Sequence, residues 1–296
     1  MSTKPVEYIR ITHDRYEKAG FTPYRWYHSD TPPPWTPMRK PLGESRLGVL
    51  VSGGAYVAGQ VAFHYKDDSS LREIPKTVDV ADLRFAHVTE YMLGDARRDP
   101  DCLIPVTALR RLEAEGAVGS LADTFYACMG GIYSQRRARE ELAPAALAAV
   151  QSQNVDAVLL VPFCPVCHQT MSLIARHIEA AGLPTVVVGS ALDIVRAVQP
   201  PRTVFLDYPL GHTTGAPDDP DGQYAIMRDV LAQFDALSAP GDEAVLPYQW
   251  GDGETWKAEA YAQQEDKRGP RDETPRYQLE ADRILAEQRL AEEARA

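Results

Sequence analysis

The sequence predicts an α/β fold built on an open, mostly parallel, doubly wound sheet, with an aromatic and proline-rich N-terminal arm and a charged C-terminal helical tail. Short apolar runs typical of buried strands alternate with segments of helical periodicity, and this alternation implies a parallel sheet covered by helices on both faces. The apolar runs end in Gly, Ser, Cys or Pro, after which a loop or helix follows. Beyond residue 250 charged residues dominate, with sparse apolar positions.

Length and composition set the class of protein. A chain of 296 residues with 44% hydrophobic residues is long enough for one large α/β domain with appendages, or for two small domains. We expect an arm over residues 1–45, a catalytic domain over 46–240 and a tail over 241–296.

The net charge and the cysteine content indicate which partners and which cellular compartment to expect. The net charge of −11 argues against nucleic acid as a partner. No apolar run reaches membrane-spanning length, and the first residues lack a secretory signal. We therefore expect a cytoplasmic protein, in which four cysteines indicate reactivity or burial rather than a disulfide scaffold.

The predicted elements follow in chain order. In the arm, residues 6–18 read as a helix, and the aromatic and proline-rich segment after it is expected to pack on the body or on a second subunit, as a surface wrap without chemistry. In the body we expect strands at 47–51, 83–88, 120–128, 158–161, 184–188 and 202–206, helices at 105–115, 143–153, 172–181, 192–198 and 222–237, a polar loop at 65–75, a turn-rich stretch at 97–102 and a further loop at 207–217. In the tail, Leu279, Ile284, Leu285 and Leu290 indicate a solvated helix suited to self-association.

Two cysteines at the start of a helix are the most informative feature. Cys164 follows a buried strand at the expected N-cap, and Pro165 occupies the first helical position, where the N–H that proline lacks is not needed. Cys167 lies one turn later on the same face, so the two sulfurs can meet. A helix N-terminus lowers the pKa of a thiol, which predicts that Cys164 is a thiolate.

Three other interpretations of the cysteine pair compete with a redox or nucleophilic role. Cys164 to His168 matches the c-type haem attachment pattern, but such attachment goes with export. Half of a structural zinc site is a second interpretation, although the sequence has no further CxxC or HxxxH. Two buried, inert cysteines are the third.

The loops after the strands are expected to converge. Ligands of open parallel sheets bind beyond the carboxyl ends of the strands, often where the backbone can turn tightly. This rule brings five segments to one crevice: Ser52-Gly53-Gly54, Met129-Gly130-Gly131, residues 164–168, Gly189-Ser190 and His212-Thr213-Thr214. The glycines at 53 and 54 lack the GxGxxG spacing of a dinucleotide-binding loop.

The chain resembles the selenoprotein B family of glycine, sarcosine, betaine and D-proline reductases at Ser52-Gly53-Gly54, residues 67–75, His87 and residues 129–134, 161–169 and 205–213. The resemblance covers residues 24–237, and its specific parts are the cysteine motif and the Pro209-Leu210-Gly211-His212-Thr213 loop. It implies that Cys164 stands where the family has a selenocysteine, which attacks the substrate and cleaves a carbon–nitrogen bond reductively, and that Cys167 is its partner thiol. Members of the family also work with a pyruvoyl-bearing subunit. No pyruvoyl precursor is identified in this chain, so either a partner provides the group or the substrate needs no such capture.

The resulting hypothesis is a thiol-dependent reductase in which Cys164 attacks a small substrate and Cys167 resolves the adduct. An external dithiol, such as a thioredoxin-like protein, restores the pair, and the chain forms a homo-oligomer or a complex with another subunit. His168 is predicted to donate a proton to the leaving group. The predicted substrate-binding residues are Ser52, Gly53, Gly54, His87, Gly130, Gly131, Gly189, Ser190, His212 and Thr213, several of them through N–H groups that face an anionic substrate. The chain itself is expected to hold neither metal nor cofactor.

Two alternatives keep the fold but change the function. One is a thiol-based metal or redox sensor whose tail recruits a partner. The other is a two-cysteine enzyme of the racemase type, in which Cys164 faces Cys128 or, as a weaker candidate, Cys102.

Overall fold

A parallel sheet forms the centre of the fold in this computed structural model, which describes residues 4–262 and 268–295. Residues 1–3 of the predicted arm and 263–267 and 296 of the predicted tail lie outside the described residues. The strands are β1 (Arg46–Val51), β2 (Ala55–Val57), β3 (Leu71–Pro75), β4 (Leu83–Phe85), β5 (Ser120–Leu121), β6 (Thr124–Cys128), β7 (Ala157–Val161), β8 (Thr185–Gly189), β9 (Arg202–Phe205) and β10 (Asp242–Val245). The helices are α1 (Tyr8–Lys18), α2 (Gly94–Arg98), α3 (Val106–Ala114), α4 (Gln135–Arg137), α5 (Ala143–Gln151), α6 (Pro165–Ala180), α7 (Leu192–Val198), α8 (Pro220–Ala236), α9 (Thr255–Ala262) and α10 (Glu280–Glu293).

The strand order confirms the predicted fold class. Among the described residues, eight strands form one sheet in the order β10-β9-β8-β7-β1-β6-β3, with the short β5 also beside β1. Every pair is parallel except β3 with β6. Strands β2 and β4 form a separate antiparallel pair.

Helices cover the sheet on both faces because its central strands are apolar on both sides. Leu47, Val49 and Val51 of β1 belong to a core that also contains the apolar faces of α3 and α8. Leu50 of β1 and Leu160 of β7 point into a second core, formed with α5 and α6. Such two-sided burial is typical of parallel sheets and accounts for the continuous apolar runs of the strands.

The predicted loop at 65–75 was wrong for its second half, which is strand β3. Ile74 of this strand is fully buried, whereas its neighbours Glu73 and Pro75 are exposed, so the segment alternates with period two. Its polar residues and terminal proline suit an edge strand, which carries charge to discourage pairing with another chain.

Other boundaries also shifted. The predicted strand at 83–88 ends at Phe85 and pairs with β2, which was not predicted. The predicted strand at 120–128 is split into β5 and β6. The helix predicted at 143–153 is preceded by α4 and a π-helical turn over Ala138–Leu142. The predicted turn-rich stretch at 97–102 begins inside a short helix, α2.

The terminal segments are tied to the sheet. In the arm, Thr36 donates its N–H to Glu179 at 2.7 Å and accepts a hydrogen bond from Arg202 at 2.8 Å. Glu179 and Arg202 form a fully buried ion pair at 2.8 Å. From the predicted tail, β10 extends the sheet in parallel with β9. Within the described part of the chain, no helix combines the length and the apolar character needed to cross a membrane.

Candidate active site

The site lies where two neighbouring strands send the chain to opposite faces of the sheet. Strands β1 and β7 are paired, but the chain after β1 reaches α3, whereas the chain after β7 enters α6 directly. Helix α3 packs in the first core, whereas α6 from Met171 onward packs in the second. A crevice opens at such a switch point in parallel sheets, and it is where their ligands bind.

The two cysteines meet at the start of α6, as the spacing predicted. Cys164 is the N-cap residue and its sulfur accepts a hydrogen bond from the N–H of Cys167 at 3.2 Å. The two Sγ atoms are 2.9 Å apart, and both residues are free thiols. Since a disulfide needs an S–S distance near 2.05 Å, this is a reduced pair already placed to form one.

His87 contacts the second cysteine from a distant part of the sequence. Its Nε2 lies 3.4 Å from the Sγ of Cys167. Its Nδ1 accepts the N–H of Thr89 at 3.1 Å and lies 2.7 Å from the Thr89 hydroxyl. Because Nδ1 accepts, a neutral His87 carries its proton on Nε2 and donates it towards Cys167.

The negative charge of the pair therefore belongs on Cys167, which corrects the expectation of a Cys164 thiolate. Burial raises the pKa of Cys167, but the hydrogen bond from Cys164 and the interaction with His87 outweigh it and hold this pKa well below the usual value of a thiol. Burial and the hydrogen bond to Cys167 raise the pKa of Cys164. The N-terminus of α6 gives Cys164 its backbone hydrogen bonds, but these are weaker than the combined effect of burial and the neighbouring sulfur.

His168 has both ring nitrogens occupied. Its Nε2 accepts the N–H of Ser190 at 2.9 Å, so its Nδ1 donates to the carbonyl of Cys164 at 2.8 Å. Burial lowers the pKa of His168 to about 4, which keeps the ring neutral at physiological pH. His168 thus connects the start of α6 to the loop after β8, and it offers no free N–H to a substrate.

Several loop glycines predicted to bind substrate pack closely against side chains of the site. A Cβ on Gly130 would lie 2.9 Å from the Sγ of Cys167, and one on Gly131 would lie 2.9 Å from Nε2 of His87. A Cβ on Gly53 would lie 3.2 Å from the side chain of Phe163, and one on Gly189 would lie 2.8 Å from the ring of His168. These glycines therefore allow the close approach of the catalytic candidates.

The predicted anion-binding N–H groups are largely used within the protein. Ser52 donates its N–H to the carbonyl of Val161 at 2.9 Å, and Gly54 donates to that of Cys128 at 3.1 Å. The N–H of Ser190 is taken by His168. The Ser52 hydroxyl accepts the N–H of Phe163 at 2.9 Å. The expectation that these backbone groups face an anion was therefore wrong for Ser52, Gly54 and Ser190.

His212 and Thr213 lie beside the site rather than against the sulfurs. The Nε2 of His212 is 2.9 Å from a carboxylate oxygen of Asp95, and its ring lies 4.5 Å from that of Trp250. Thr213 donates its hydroxyl to the carbonyl of Pro162 at 2.9 Å. Thr213 thus supports the segment before Cys164, whereas His212 lines a neighbouring cavity.

A cavity reaches Cys164, and the N-terminal arm forms much of its wall. Cys164, which is 2% exposed, shares this cavity with Pro165 and Val166. The remaining lining residues come from the arm, from the loops after β4 and β6, and from the C-terminal segment: Thr12, Arg15, Tyr16, Ala19, Phe21, Tyr24, Thr89, Tyr91, Tyr133 and Arg268. The arm is therefore more than the surface wrap that was expected, and sequence reasoning did not identify its role in the site.

The other two cysteines do not face Cys164. The Sγ of Cys128 contacts the sulfur of Met171 at 3.9 Å, and that of Cys102 lies 3.7 Å from the carbonyl of Gly211. Both are fully buried, burial raises the pKa of each, and neither lines the cavity at Cys164. The two-cysteine racemase alternative therefore has no support in this geometry.

Comparison with known proteins places the chain among reductase components. A family model described as glycine/sarcosine/betaine reductase selenoprotein B matches residues 76–162. The chain is 33% identical over 221 residues to the D-proline reductase subunit gamma of Acetoanaerobium sticklandii, which covers 74% of this chain and 91% of the relative. It is 30% identical over 230 residues to the glycine reductase complex component B subunit gamma of Symbiobacterium thermophilum, which covers 75% of this chain and 52% of the relative. No solved structure matches the chain.

The extent of these matches differs among the relatives. The chain spans nearly all of the D-proline reductase subunit but about half of the glycine reductase component. The match to the family model ends at residue 162, two residues before Cys164. It covers the strands that lead to the site, β4 to β7, while the longer pairwise matches cover about three quarters of this chain.

Proposed function

The chain belongs to the selenoprotein B family of glycine, sarcosine, betaine and D-proline reductase components, and from this premise we propose that it is a thiol-dependent reductase. It cleaves a bond between carbon and a heteroatom of a small substrate, and we propose that this heteroatom is nitrogen. Cys164, at the position that the resemblance assigns to selenocysteine, is the nucleophile. Cys167 is the resolving thiol.

One observation carries this proposal. The two sulfurs lie 2.9 Å apart, and Cys164, not Cys167, lines the cavity. The lowered pKa of Cys167 supplies a thiolate beside the Cys164 thiol. Cys164 then becomes nucleophilic when its proton passes to the Cys167 sulfur, so the buried partner acts first as a base.

The reaction balances over two steps. In the first, the Cys164 sulfur forms a bond to the substrate carbon as the bond from carbon to the leaving atom breaks, and the leaving atom departs with the electron pair and takes up a proton. In the second, Cys167 attacks the Cys164 sulfur, the disulfide forms, and the carbon departs with the electron pair and takes up the proton that Cys167 had accepted. The substrate gains two electrons, and the two thiols become one disulfide.

The disulfide must then be reduced from outside. We propose an external dithiol, such as a thioredoxin-like protein, as the reductant, because thiol–disulfide exchange needs a second thiol pair. The relatives are named as a subunit of D-proline reductase and as a component of a glycine reductase complex, so we propose that this chain also acts together with other subunits. A pyruvoyl-bearing partner would hold an amine substrate near Cys164.

The test uses serine variants of the two cysteines in protein purified from its host with any bound subunits. Glycine, sarcosine, betaine and D-proline serve as probes, with dithiothreitol as donor. We expect Cys164→Ser to abolish turnover and Cys167→Ser to accumulate a covalent adduct on Cys164, which intact-mass and peptide analysis would detect. Wild-type turnover in both variants, or an adduct on Cys102 or Cys128, would contradict the proposal.

A metal-binding function is a second candidate, because one cluster favours it. The ligand atoms of His87, Cys164 and Cys167 all lie within 4.8 Å of one another. Two thiolates and an imidazole form a set that suits zinc with one open position. A metal sensor would be favoured over the reductase if the purified wild-type protein contained stoichiometric zinc and showed no turnover, and if Cys164→Ser and Cys167→Ser lost the zinc.

A further inference from the structure

The proposed cleavage needs a proton at the leaving atom, and the cavity must supply it. His168, predicted for this role, has no free N–H, since both of its nitrogens are bonded within the protein. His87 directs its Nε2 proton to Cys167. A donor must therefore be sought among the other side chains that share the cavity with Cys164.

Tyr133 lies in the loop after β6 and lines the same cavity as Cys164. Its hydroxyl accepts a hydrogen bond from Nη1 of Arg268 at 3.0 Å. Because a guanidinium can only donate, the phenol keeps its own proton available for a different acceptor. The N–H of Tyr133 donates to a carboxylate oxygen of Asp67 at 2.6 Å, which fixes the loop that carries the ring.

The charges around the ring favour loss of that proton during a reaction. The guanidinium carbon of Arg268 lies 5.4 Å from the centre of the Tyr133 ring and that of Arg271 lies 4.4 Å from it. Burial raises the pKa of Tyr133, so the phenol is protonated at neutral pH, while the positive charge of Arg268 opposes this rise. A phenolate formed in the transition state would thus have two cations beside it.

We propose that Tyr133 is the proton donor to the leaving atom and that Arg268 positions its hydroxyl, an inference that rests on the proposed function. As the Cys164 sulfur bonds to carbon and the bond to the leaving atom breaks, the Tyr133 O–H proton moves to that atom. The phenolate is then reprotonated by solvent in the cavity, while the proton that Cys164 gave to Cys167 goes to the departing carbon in the second step. No further oxidant or reductant is needed.

Two alkylating reagents that differ in their leaving group test this role without knowledge of the natural substrate. Iodoacetamide releases iodide, which needs no proton, whereas the opening of propylene oxide produces an alkoxide that must be protonated. We expect Tyr133→Phe to slow propylene oxide alkylation of Cys164 about 10²-fold, the lower range for a positioned acid, and to leave the iodoacetamide rate within about twofold. Peptide mass analysis would locate the modification.

Tyr248→Phe is the control, because the Tyr248 hydroxyl donates to Asp229 and the residue does not line the cavity at Cys164. Its two alkylation rates should match those of the wild type. The inference would be overturned if Tyr133→Phe slowed both reagents equally or left the propylene oxide rate unchanged. It would also be overturned if the ratio of the propylene oxide rate to the iodoacetamide rate were no higher in the wild type than for free cysteine. Failure of both reagents to modify Cys164 in the wild type would instead overturn the proposed function, and the inference with it.

Discussion

The replacement of His87 by leucine tests what places the charge in the thiol pair. His87 is fully buried, and its Nε2 lies 3.4 Å from the Sγ of Cys167. His87→Leu removes this donor while it keeps an apolar side chain against Phe163, whose ring centre is 5.0 Å away. The thiolate then keeps its hydrogen bond from Cys164 but loses the one from the imidazole.

The size of the effect follows from the lost hydrogen bond. A hydrogen bond to a charged group contributes about 1.5–3 kcal/mol, and about 1.4 kcal/mol corresponds to a tenfold change in an equilibrium. The ionisation constant of the Cys167 thiol should therefore fall roughly 10- to 100-fold, which moves the acid limb of the pH profile up by about one to two pH units. Because the pKa of Cys167 is held low in the wild type, thiolate reactivity persists as the pH falls below the usual thiol range, whereas in His87→Leu it is lost as the pH falls through that range.

The assay is the rate of iodoacetamide alkylation of Cys164 between pH 5 and 10. His87→Gln is the matched control, since its amide can place an N–H close to the position of Nε2. We expect the glutamine variant to recover most of the rate and the leucine variant to show the acid limb of its pH profile at higher pH. An unchanged profile in His87→Leu, or an equal loss in both variants, would refute the assignment of the charge to Cys167.

Three further predictions concern stability and packing. Burial lowers the pKa of His168 to about 4, so below pH 6.5 the unfolded state binds a proton that the folded state does not. In urea unfolding, the free energy of unfolding of the wild type should therefore fall by about 2 kcal/mol between pH 7.5 and 5, and that of His168→Gln should fall by less. Gly130 and Gly116 both have positive φ, but only at Gly130 would a Cβ meet neighbours, so both alanine variants should lower the Tm and only Gly130→Ala should also slow alkylation of the thiol pair. Glu179→Ala should cost about 3–5 kcal/mol in denaturant unfolding because it leaves a buried arginine unpaired, whereas Glu280→Ala, at an exposed pair, should leave the unfolding midpoint nearly unchanged.

Local sequence patterns were sufficient to predict the structure around the two cysteines. The order of apolar strand, cysteine and proline specified an N-cap at Cys164, and the structure has the same arrangement at the start of α6. The three-residue spacing brought Cys167 to the same side of the helix. The alternation of strands and helices also predicted the parallel sheet, because each element depends on patterns within about ten residues.

Properties that depend on tertiary contacts could not be predicted in this way. The charge was assigned to the wrong sulfur because His87, 80 residues earlier in the chain, reaches Cys167 and not Cys164. Tyr133 was noted only as part of a motif, and Arg268 was not considered, since nothing in the sequence indicates that the tail meets the loop after β6. The edge strand β3 was missed because Arg72 and Glu73 interrupt its apolar pattern, and charged residues are common on edge strands.

The most direct test of the reductase mechanism is a redox titration of the purified protein, with free-thiol counting and peptide mapping at each potential. The chain has four cysteines, and our account predicts that mild oxidation removes two thiols together, both in the peptide that contains Cys164 and Cys167, and that a dithiol restores them. Protein that retains all four thiols under these conditions, or that forms a disulfide through Cys102 or Cys128 instead, would contradict it.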